Sequence, residues 1–388
     1  MANKGEARPN EARLGVDIGG TFTDVALEVG EAGGPRRYSA KILTTPHAPE
    51  QGVLAAIDAV LAQAALRPGE LSIIIHGTTL ATNAIIERKG AKTALVTTEG
   101  FRDTVEIRHE NRFEQYDVNI DLPPPLVPRR LRCVVPERID ARGRVVKPLD
   151  EAAVAALAEK LAAAGVESVA VGFLHSYVNP AHEARVRELF RQLLGGVTMT
   201  LSSEVSPEMR EYERLSTACA NAYVQPMMGR YLVNLETLLH EAGFGCPLYL
   251  MTSGGGLTTV DTAIRFPVRL VESGPAGGAI FAGHIARQCA LDKVLSYDMG
   301  GTTAKICLID DLQPQSSRAF EVARVYRFKK GSGLPLRIPV IEMVEIGAGG
   351  GSIARVDPLK RITVGPDSAG ADPGPACYGQ GGALPSVT

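Results

Sequence analysis

Tryptophan is absent from the 388-residue sequence, and aromatic residues make up only 5% of it. That leaves little material for a base-stacking platform, so no nucleic-acid partner is expected. Charge of one sign is also missing. Lysine and arginine number 41 against 43 aspartates and glutamates, the net charge is −2, and the arginines are scattered. No polyanion-binding surface is predicted. The six cysteines (Cys133, Cys219, Cys246, Cys289, Cys307, Cys377) lie far apart and form no C-x-x-C pair. This is the pattern of a reduced, cytoplasmic protein rather than of a disulfide framework. No uninterrupted apolar run reaches the roughly 18 residues of a membrane span. The opening "MANKGEARPNEAR" lacks the apolar core of a signal peptide. The chain therefore reads as soluble, cytoplasmic and without a membrane partner.

What is present is ordinary globular material, 45% hydrophobic and 22% charged, long enough for two domains. Residues 1–12 read as a disordered tail, 13–196 as a first domain and 197–388 as a second. In the first, "LSIIIHGTT" reads as a buried strand, "LATNAIIERKG" as a helix closed by Gly90, and "LDEAAVAALAEKLAAAG" as the clearest helix. The clustered Pro123, Pro124, Pro125 and Pro128 predict an extended loop. In the second, "SPEMREYERLSTACANAYVQPMMGRYLVNLETLLHEAG" reads as helical but broken at Pro226. The alternation of strands and helices predicts an α/β architecture with a largely parallel sheet. The ending is rich in glycine and proline, so the second lobe is expected to be truncated and the chain to be part of something longer.

One pattern occurs twice. "LGVDIGGTFTDVAL" (14–27) and "LSYDMGGTTAKICL" (295–308) agree at Leu14/Leu295, Asp17/Asp298, Gly19/Gly300, Gly20/Gly301, Thr21/Thr302 and Leu27/Leu308, with an offset of 281 residues. Each reads as strand, glycine turn, strand. Glycines after a buried strand let backbone N–H groups point at an anion. The threonine adds a hydroxyl, and the aspartate suits Mg²⁺, which takes few carboxylates and keeps its waters. One such loop is equally readable as a plain β-hairpin. Two predict the two walls of a triphosphate site, one from each lobe, with the metal bridging phosphate oxygens. The arrangement resembles the actin, Hsp70 and sugar-kinase superfamily. That resemblance implies duplicated, ribonuclease H-like lobes with a nucleotide cleft between them.

A closer resemblance is carried by "GVDIGGTFTD" (15–24), "HGTTLATNAIIERKGAKTALVTTEGFRD" (76–103), "FLHSYVNPAHE" (173–183), "NAYVQP" (221–226), "MTSGGGL" (251–257), "ESGPAGG" (272–278), "DMGGTTAK" (298–305) and "GPDSAGADPGPACYG" (365–379). These motifs resemble the hydantoinase A and 5-oxoprolinase family, in its order and over nearly the whole chain. The resemblance implies ATP and Mg²⁺ as cofactors, a cyclic amide such as a hydantoin or 5-oxoproline as substrate, and a hydantoinase B-type partner subunit. Related subunits serve acetone and acetophenone carboxylases, so a ketone substrate stays open. A sugar or carboxylate kinase, and a nucleotide-binding chain without activity of its own, are the other readings.

By the same resemblance Asp17, Gly19, Gly20, Thr21, Thr23 and Asp24 form one phosphate wall. Asp298, Gly300, Gly301, Thr302 and Thr303 form the other. Asp17 and Asp298 are the implied metal ligands and, with Thr78, the catalytic candidates. Gly254, Gly255 and Gly256 resemble a nucleotide-contacting turn, and the Gly347–Gly351 run, with Gly349 and Gly350, is a second. Thr79 and Asn83 are implied to face substrate or phosphate beside Thr78; the alternative is a capped helix start. The second loop departs from the family pattern at Thr303-Ala304-Lys305, where Lys305 replaces the carboxylate that Asp24 gives the first. Lys305 reads as touching a phosphate or as pairing with an acid on the sheet edge. His76 reads as a general base or as hydrogen-bonded structure. His175 reads as structural, adjacent His182 and Glu183 do not form a metal pair, and no Cys/His cluster suggests zinc. Cys219 and Cys377 are expected to be buried.

Overall fold

The computed structural model describes residues 11–20, 22–45, 47–109, 114–120, 122–301, 303–325, 329–370 and 373–388. Of the expected tail, residues 1–10 lie outside this set, and Ala12 already begins the first strand. The chain divides into two compact units. One is the chain up to Ser273 together with Arg318–Pro339; the other is Gly274–Ser317 with Val340–Thr388. Residues 197–273 thus fold with the first unit.

In the first unit β1 (Ala12–Ile18) buries Ala12, Leu14, Val16 and Ile18 on one face. This period of two is what a half-buried strand requires. A glycine turn leads to β2 (Phe22–Val29) and then β3 (Arg36–Leu43). Helix α1 (Pro49–Ala64) starts with proline in its first turn and ends at Ala65 in the left-handed conformation, φ 53°. Strand β4 (Leu71–Thr78) runs into α2 (Leu80–Ile86). Gly90 does not close α2. The helix stops at Ile86, and Gly90 lies against the Tyr223 ring, where a Cβ would sit 2.2 Å from ring carbons.

Next come β5 (Thr93–Thr98) and β6 (Arg132–Val135). Between them, residues 122–128 form no helix or strand, as their prolines require. Helix α3 (Glu151–Ala163) is capped by Asp150, which accepts from the Ala153 N–H at 2.9 Å. Strand β7 (Ser168–Gly172) is buried at every residue. It leads to α4 (Ala181–Leu193) and β8 (Thr198–Leu201). Helix α5 (Glu211–Glu241) is 31 residues long and continues through Pro226. The predicted break does not occur. A proline inside a helix costs about 3 kcal/mol, and the long run of buried residues along α5, from Leu215 to Leu239, outweighs it. Strands β9 (Leu248–Met251) and β10 (Leu257–Thr259) complete the unit's main elements.

Two sheets result. One has the order β10-β9-β4-β1-β2-β3, with β9, β4 and β1 parallel and the rest antiparallel. The other, β8-β7-β5-β6, is wholly parallel.

The second unit takes up α6 (Ser273–Gln288), then β11 (Lys293–Met299), β12 (Ala304–Asp310) and β13 (Val344–Ile346). Ala276 and Ala279 of α6 pack on Cys307, Ile309 and Ile341. Strand β12 pairs with β11 on one side and β13 on the other. The repeat seen in the sequence is a repeat in space: β1-β2-β3 and β11-β12-β13 have the same antiparallel order and the same register. Ile18 faces Thr23 as Met299 faces Ala304, 281 positions on. The two copies differ on their other side. β1 has β4 as a parallel neighbour, whereas β11 pairs only with β12 among the described residues, and Leu295 and Tyr297 are more than half exposed.

Candidate functional site: two glycine hairpins

In the first unit the parallel strands β1, β4 and β9 end on one edge of the sheet. In open α/β sheets that carboxyl edge is where ligands bind. Three sequence-predicted segments meet there: the Gly19–Gly20 turn, His76–Thr79 and the Gly254–Gly256 turn.

The Gly19 N–H donates to the Phe22 carbonyl at 2.9 Å, and Gly300 to Thr303 at 2.9 Å, so both hairpins close alike. Thr21 and Thr302 lie outside the described residues. Asp17 is exposed at the end of β1, opposite Gly77 of β4. A Cβ on Gly77 would stand 2.8 Å from Asp17 Oδ1. Only glycine leaves room for that carboxylate to lie over the neighbouring strand. The second-unit counterpart, Asp298, is exposed opposite Lys305. Among the described residues no group of three or more His, Cys, Asp or Glu could hold a metal by itself. The exposed Asp17 and Asp298 carboxylates fit Mg²⁺, which binds through one or two carboxylates plus phosphate and water.

Several candidates turn away from open space. Thr23 is fully buried, and its hydroxyl meets that of Thr44 at 3.2 Å. Thr44 in turn donates to the Gly19 carbonyl at 3.0 Å and so braces the turn from behind. Thr78 is fully buried too. Its hydroxyl accepts from the Leu80 N–H at 3.2 Å, and its backbone exchanges hydrogen bonds with the Ser273 hydroxyl. Thr79 donates to the Ile18 carbonyl through both its N–H and its hydroxyl, tying α2 to the end of β1. Asn83 stands beside Gly20, 3.4 Å from where its Cβ would be. Asp24 is exposed but already paired: Lys41 Nζ lies 2.8 Å from both of its carboxylate oxygens.

The two further glycine runs also differ. The Gly254–Gly256 turn joins β9 to β10. Gly255 has φ 80°, and Thr252 binds the Gly256 carbonyl through both its N–H and its hydroxyl. Gly350 and Gly351 spend their N–H groups on the Gly300 and Gly301 carbonyls, at 2.9 and 2.7 Å. The Gly347–Gly351 run therefore props the second hairpin, as Thr79 props the first.

His76 is buried at the centre of the sheet. Its Nε2 meets the Tyr231 hydroxyl at 2.7 Å and its Nδ1 the Val16 carbonyl at 3.3 Å. Burial pulls its pKa down to about 4, against the Val16 hydrogen bond, so it is a neutral structural group. Burial pushes the Cys219 thiol up to about 12. Cys377 is exposed, contrary to expectation, on the loop-rich end of the chain.

The sequence motif "FLHSYVNPAHE" hides a structural knot. Glu183, fully buried, accepts from the Phe173 N–H, the Ser202 hydroxyl and both the N–H and hydroxyl of Ser203, at 2.6–2.9 Å. Arg214, equally buried, donates to the Phe173 and Glu208 carbonyls at 2.9 Å and to Ser202 at 3.2 Å. His182 pairs with Glu137 at 2.8 Å.

This α/β architecture with its glycine hairpin defines an actin/Hsp70-like nucleotide-binding fold. The chain belongs to the hydantoinase/oxoprolinase family: residues 13–194 match its N-terminal region and residues 214–388 the hydantoinase/oxoprolinase domain. The caprolactamase alpha subunit of Pseudomonas jessenii is 38% identical over 97% of this chain and 53% of its own. The acetophenone carboxylase gamma subunit of Aromatoleum aromaticum is 35% identical over 97% and 52%, and the 5-oxoprolinase of Saccharomyces cerevisiae 31% over 96% and 31%. Among solved structures, nucleotide-free acetone carboxylase superposes with TM-score 0.81 at 26% identity over 98% of this chain and 54% of that one. The ATP-dependent caprolactamase of Pseudomonas jessenii follows with 0.79 at 36% over 97% and 54%. The chain thus spans about half the length of most of these relatives. Among the described residues no helix is long and apolar enough to cross a membrane.

Proposed function

We propose that this chain is the nucleotide-binding part of an ATP-dependent, ring-opening amidohydrolase. Its substrate is a cyclic amide such as a hydantoin or 5-oxoproline, and it works in the cytoplasm with a hydantoinase B-type partner subunit. The observation that carries the reading is the repeated hairpin, with the same register, the same turn hydrogen bond and an exposed aspartate at the same strand end. The relatives named for lactam opening support the substrate class.

The chemistry needs activation because an amide carbonyl is a poor electrophile. ATP, when bound, would supply a phosphoryl group to the carbonyl oxygen and so open the carbon to water; ring opening then breaks the C–N bond with the amine as leaving group, and the phosphoryl group is released from the carboxyl oxygen as inorganic phosphate. The protein's part is positioning and charge neutralisation. In this reading the backbone around Gly19–Gly20 and Gly254–Gly256 would contact phosphate from the first unit, Gly300–Gly301 with Thr303 would do so from the second, and each hairpin's aspartate, Asp17 or Asp298, would be its Mg²⁺ ligand. Thr23, Thr78 and the Gly349–Gly350 pair keep those loops in shape from behind.

A second reading is the ATPase subunit of a ketone carboxylase, favoured by the superposition on acetone carboxylase. Phosphate release by the full-length protein with its partner subunit separates the two. Dependence on a lactam or hydantoin supports ring opening. Dependence on bicarbonate and a ketone supports the carboxylase, and dependence on neither sinks both.

A further inference from the structure

The two hairpins are held from behind at the same atom by different groups. The Gly19 carbonyl accepts from the Thr44 hydroxyl at 3.0 Å. Its counterpart 281 positions on, the Gly300 carbonyl, accepts from the Gly350 N–H at 2.9 Å. Each of these bonds lies within one unit. Thr44 stands just past the end of β3, on the loop to α1, and none of the sequence motifs contains it.

The first brace has a direction. A hydroxyl has one proton to donate, and a carbonyl oxygen can only accept. Thr44 gives its proton to Gly19, so in the 3.2 Å contact between the Thr44 and Thr23 hydroxyls the donor is Thr23. The relay runs from the Thr23 hydroxyl through the Thr44 hydroxyl to the Gly19 carbonyl. Thr23 is fully buried, so packing holds the start of the relay in place. At its position in the second hairpin stands Ala304, also fully buried, which has no hydroxyl to give. There the Gly350 N–H takes over the task.

The brace matters because of what it does to the next residue. A trans peptide is planar, with its C=O and N–H pointing in opposite directions. A Gly19 carbonyl turned back to Thr44 therefore turns the Gly20 N–H away from Thr44. Gly20 is exposed, so this N–H is presented on the open side of the turn. The Gly350 bond does the same for the Gly301 N–H, and Gly301 is exposed as well. Glycine on both sides lets a peptide flip at little steric cost. A flipped Gly19–Gly20 peptide would present its oxygen, which repels phosphate, in place of the N–H.

We infer that Thr44 is the positioning residue of the first phosphate wall. Its hydroxyl opposes the flip of the Gly19–Gly20 peptide and keeps the Gly20 N–H aimed at a phosphate of the nucleotide. The inference rests on the nucleotide-binding reading of the hairpin, and not on which substrate is opened.

The test is calorimetric titration of the full-length protein with Mg²⁺-ATP, with thermal melts beside it to show that each variant is folded. Thr44→Val keeps the side-chain shape and removes the hydroxyl. Its dissociation constant should rise by about two- to tenfold, the order of one neutral hydrogen bond. Thr44→Ser should bind as wild type. Thr23→Val removes only the outer link of the relay and should weaken binding in the same direction and by less. Thr45→Val is the control one residue on, where the hydroxyl donates instead to the Ala48 carbonyl at 2.8 Å; it should bind as wild type. A wild type that binds no Mg²⁺-ATP overturns the nucleotide reading and this inference with it. Where wild type binds, unchanged affinity in Thr44→Val overturns the inference alone. So does Thr44→Ser or Thr45→Val binding as weakly as Thr44→Val. Should Thr44→Val not fold, Thr23→Val decides, and unchanged affinity in it overturns the inference.

Discussion

Asp24 and Lys305 stand at the same position of the two hairpins, and each faces an opposite charge on the next strand. Asp24 pairs with Lys41 of β3 at 2.8 Å. Lys305 lies opposite Glu345 of β13; burial lowers its pKa, and the Glu345 charge only partly opposes that shift. The sign is reversed and the cross-strand relation is kept. Lys305 is therefore a sheet residue that replaces one half of an ion pair.

The Asp24–Lys41 pair is about half exposed on both sides. Such pairs contribute about 0–1 kcal/mol. Asp24→Asn should therefore lower the melting midpoint only slightly and leave ATP turnover within a few-fold of wild type. The charge-swapped protein, with Asp24→Lys and Lys41→Asp, should match wild type in a denaturant melt. A loss of turnover comparable to that of Asp17→Ala would show that Asp24 leaves Lys41 to serve the metal ion.

Asp17 carries the opposite expectation. Asp17→Ala should cut Mg²⁺-dependent ATP turnover by about 10²–10³-fold, the order of a single preorganised electrostatic group. It should not unfold the protein, because the carboxylate is exposed at a strand end. Gly77→Ala should act in the same direction through Asp17, since the added methyl would stand 2.8 Å from Oδ1 and push the carboxylate aside. Steady-state turnover beside thermal melts decides this. Asp17→Ala melting far below wild type with turnover intact would refute the site.

His76 predicts a pH dependence of stability. Its pKa is about 4 in the folded protein against 6.5 when unfolded, with burial as the cause. Between these values the unfolded chain binds a proton that the folded one does not. Stability is therefore full above pH 6.5 and falls as pH drops toward 4, by up to about 3 kcal/mol. Replacing His76 with Gln should flatten this part of the stability–pH curve. A curve of unchanged slope in the variant would assign the acid sensitivity to other groups.

Glu183 and Arg214 meet through the Ser202 hydroxyl in a fully buried network. Removing one charge leaves the other without its partners, at a cost of about 3–5 kcal/mol. Arg214→Met and Glu183→Gln should each lower stability strongly in urea melts, and the double variant should lose less than their sum. Additive losses would mean that the two side chains act independently.

The repeated hairpin was legible in the sequence because it is local. Alternating apolar residues, a strand-end aspartate and two glycines set two strands and the turn between them, and the 281-residue offset reappears in the register. Buried strands such as Ser168–Gly172 were legible for the same reason. Less legible was which polar residues of the motifs face open space. Thr23 and Asp24 are neighbours, yet one is locked to Thr44 and the other to Lys41. Thr78 is locked to Ser273, 195 positions away.

By itself the sequence determined the two hairpins, their family and the α/β alternation, since each rests on periodicity and turn chemistry within a few residues. The tertiary structure alone decided the rest. It carried α5 through Pro226 by burying the helix along most of its length, and it spent Gly350 and Gly351 on the second turn. It also brought the Thr44 hydroxyl behind the Gly19 carbonyl, 25 positions away. These outcomes depend on strand order and helix packing between distant segments, which no local pattern encodes.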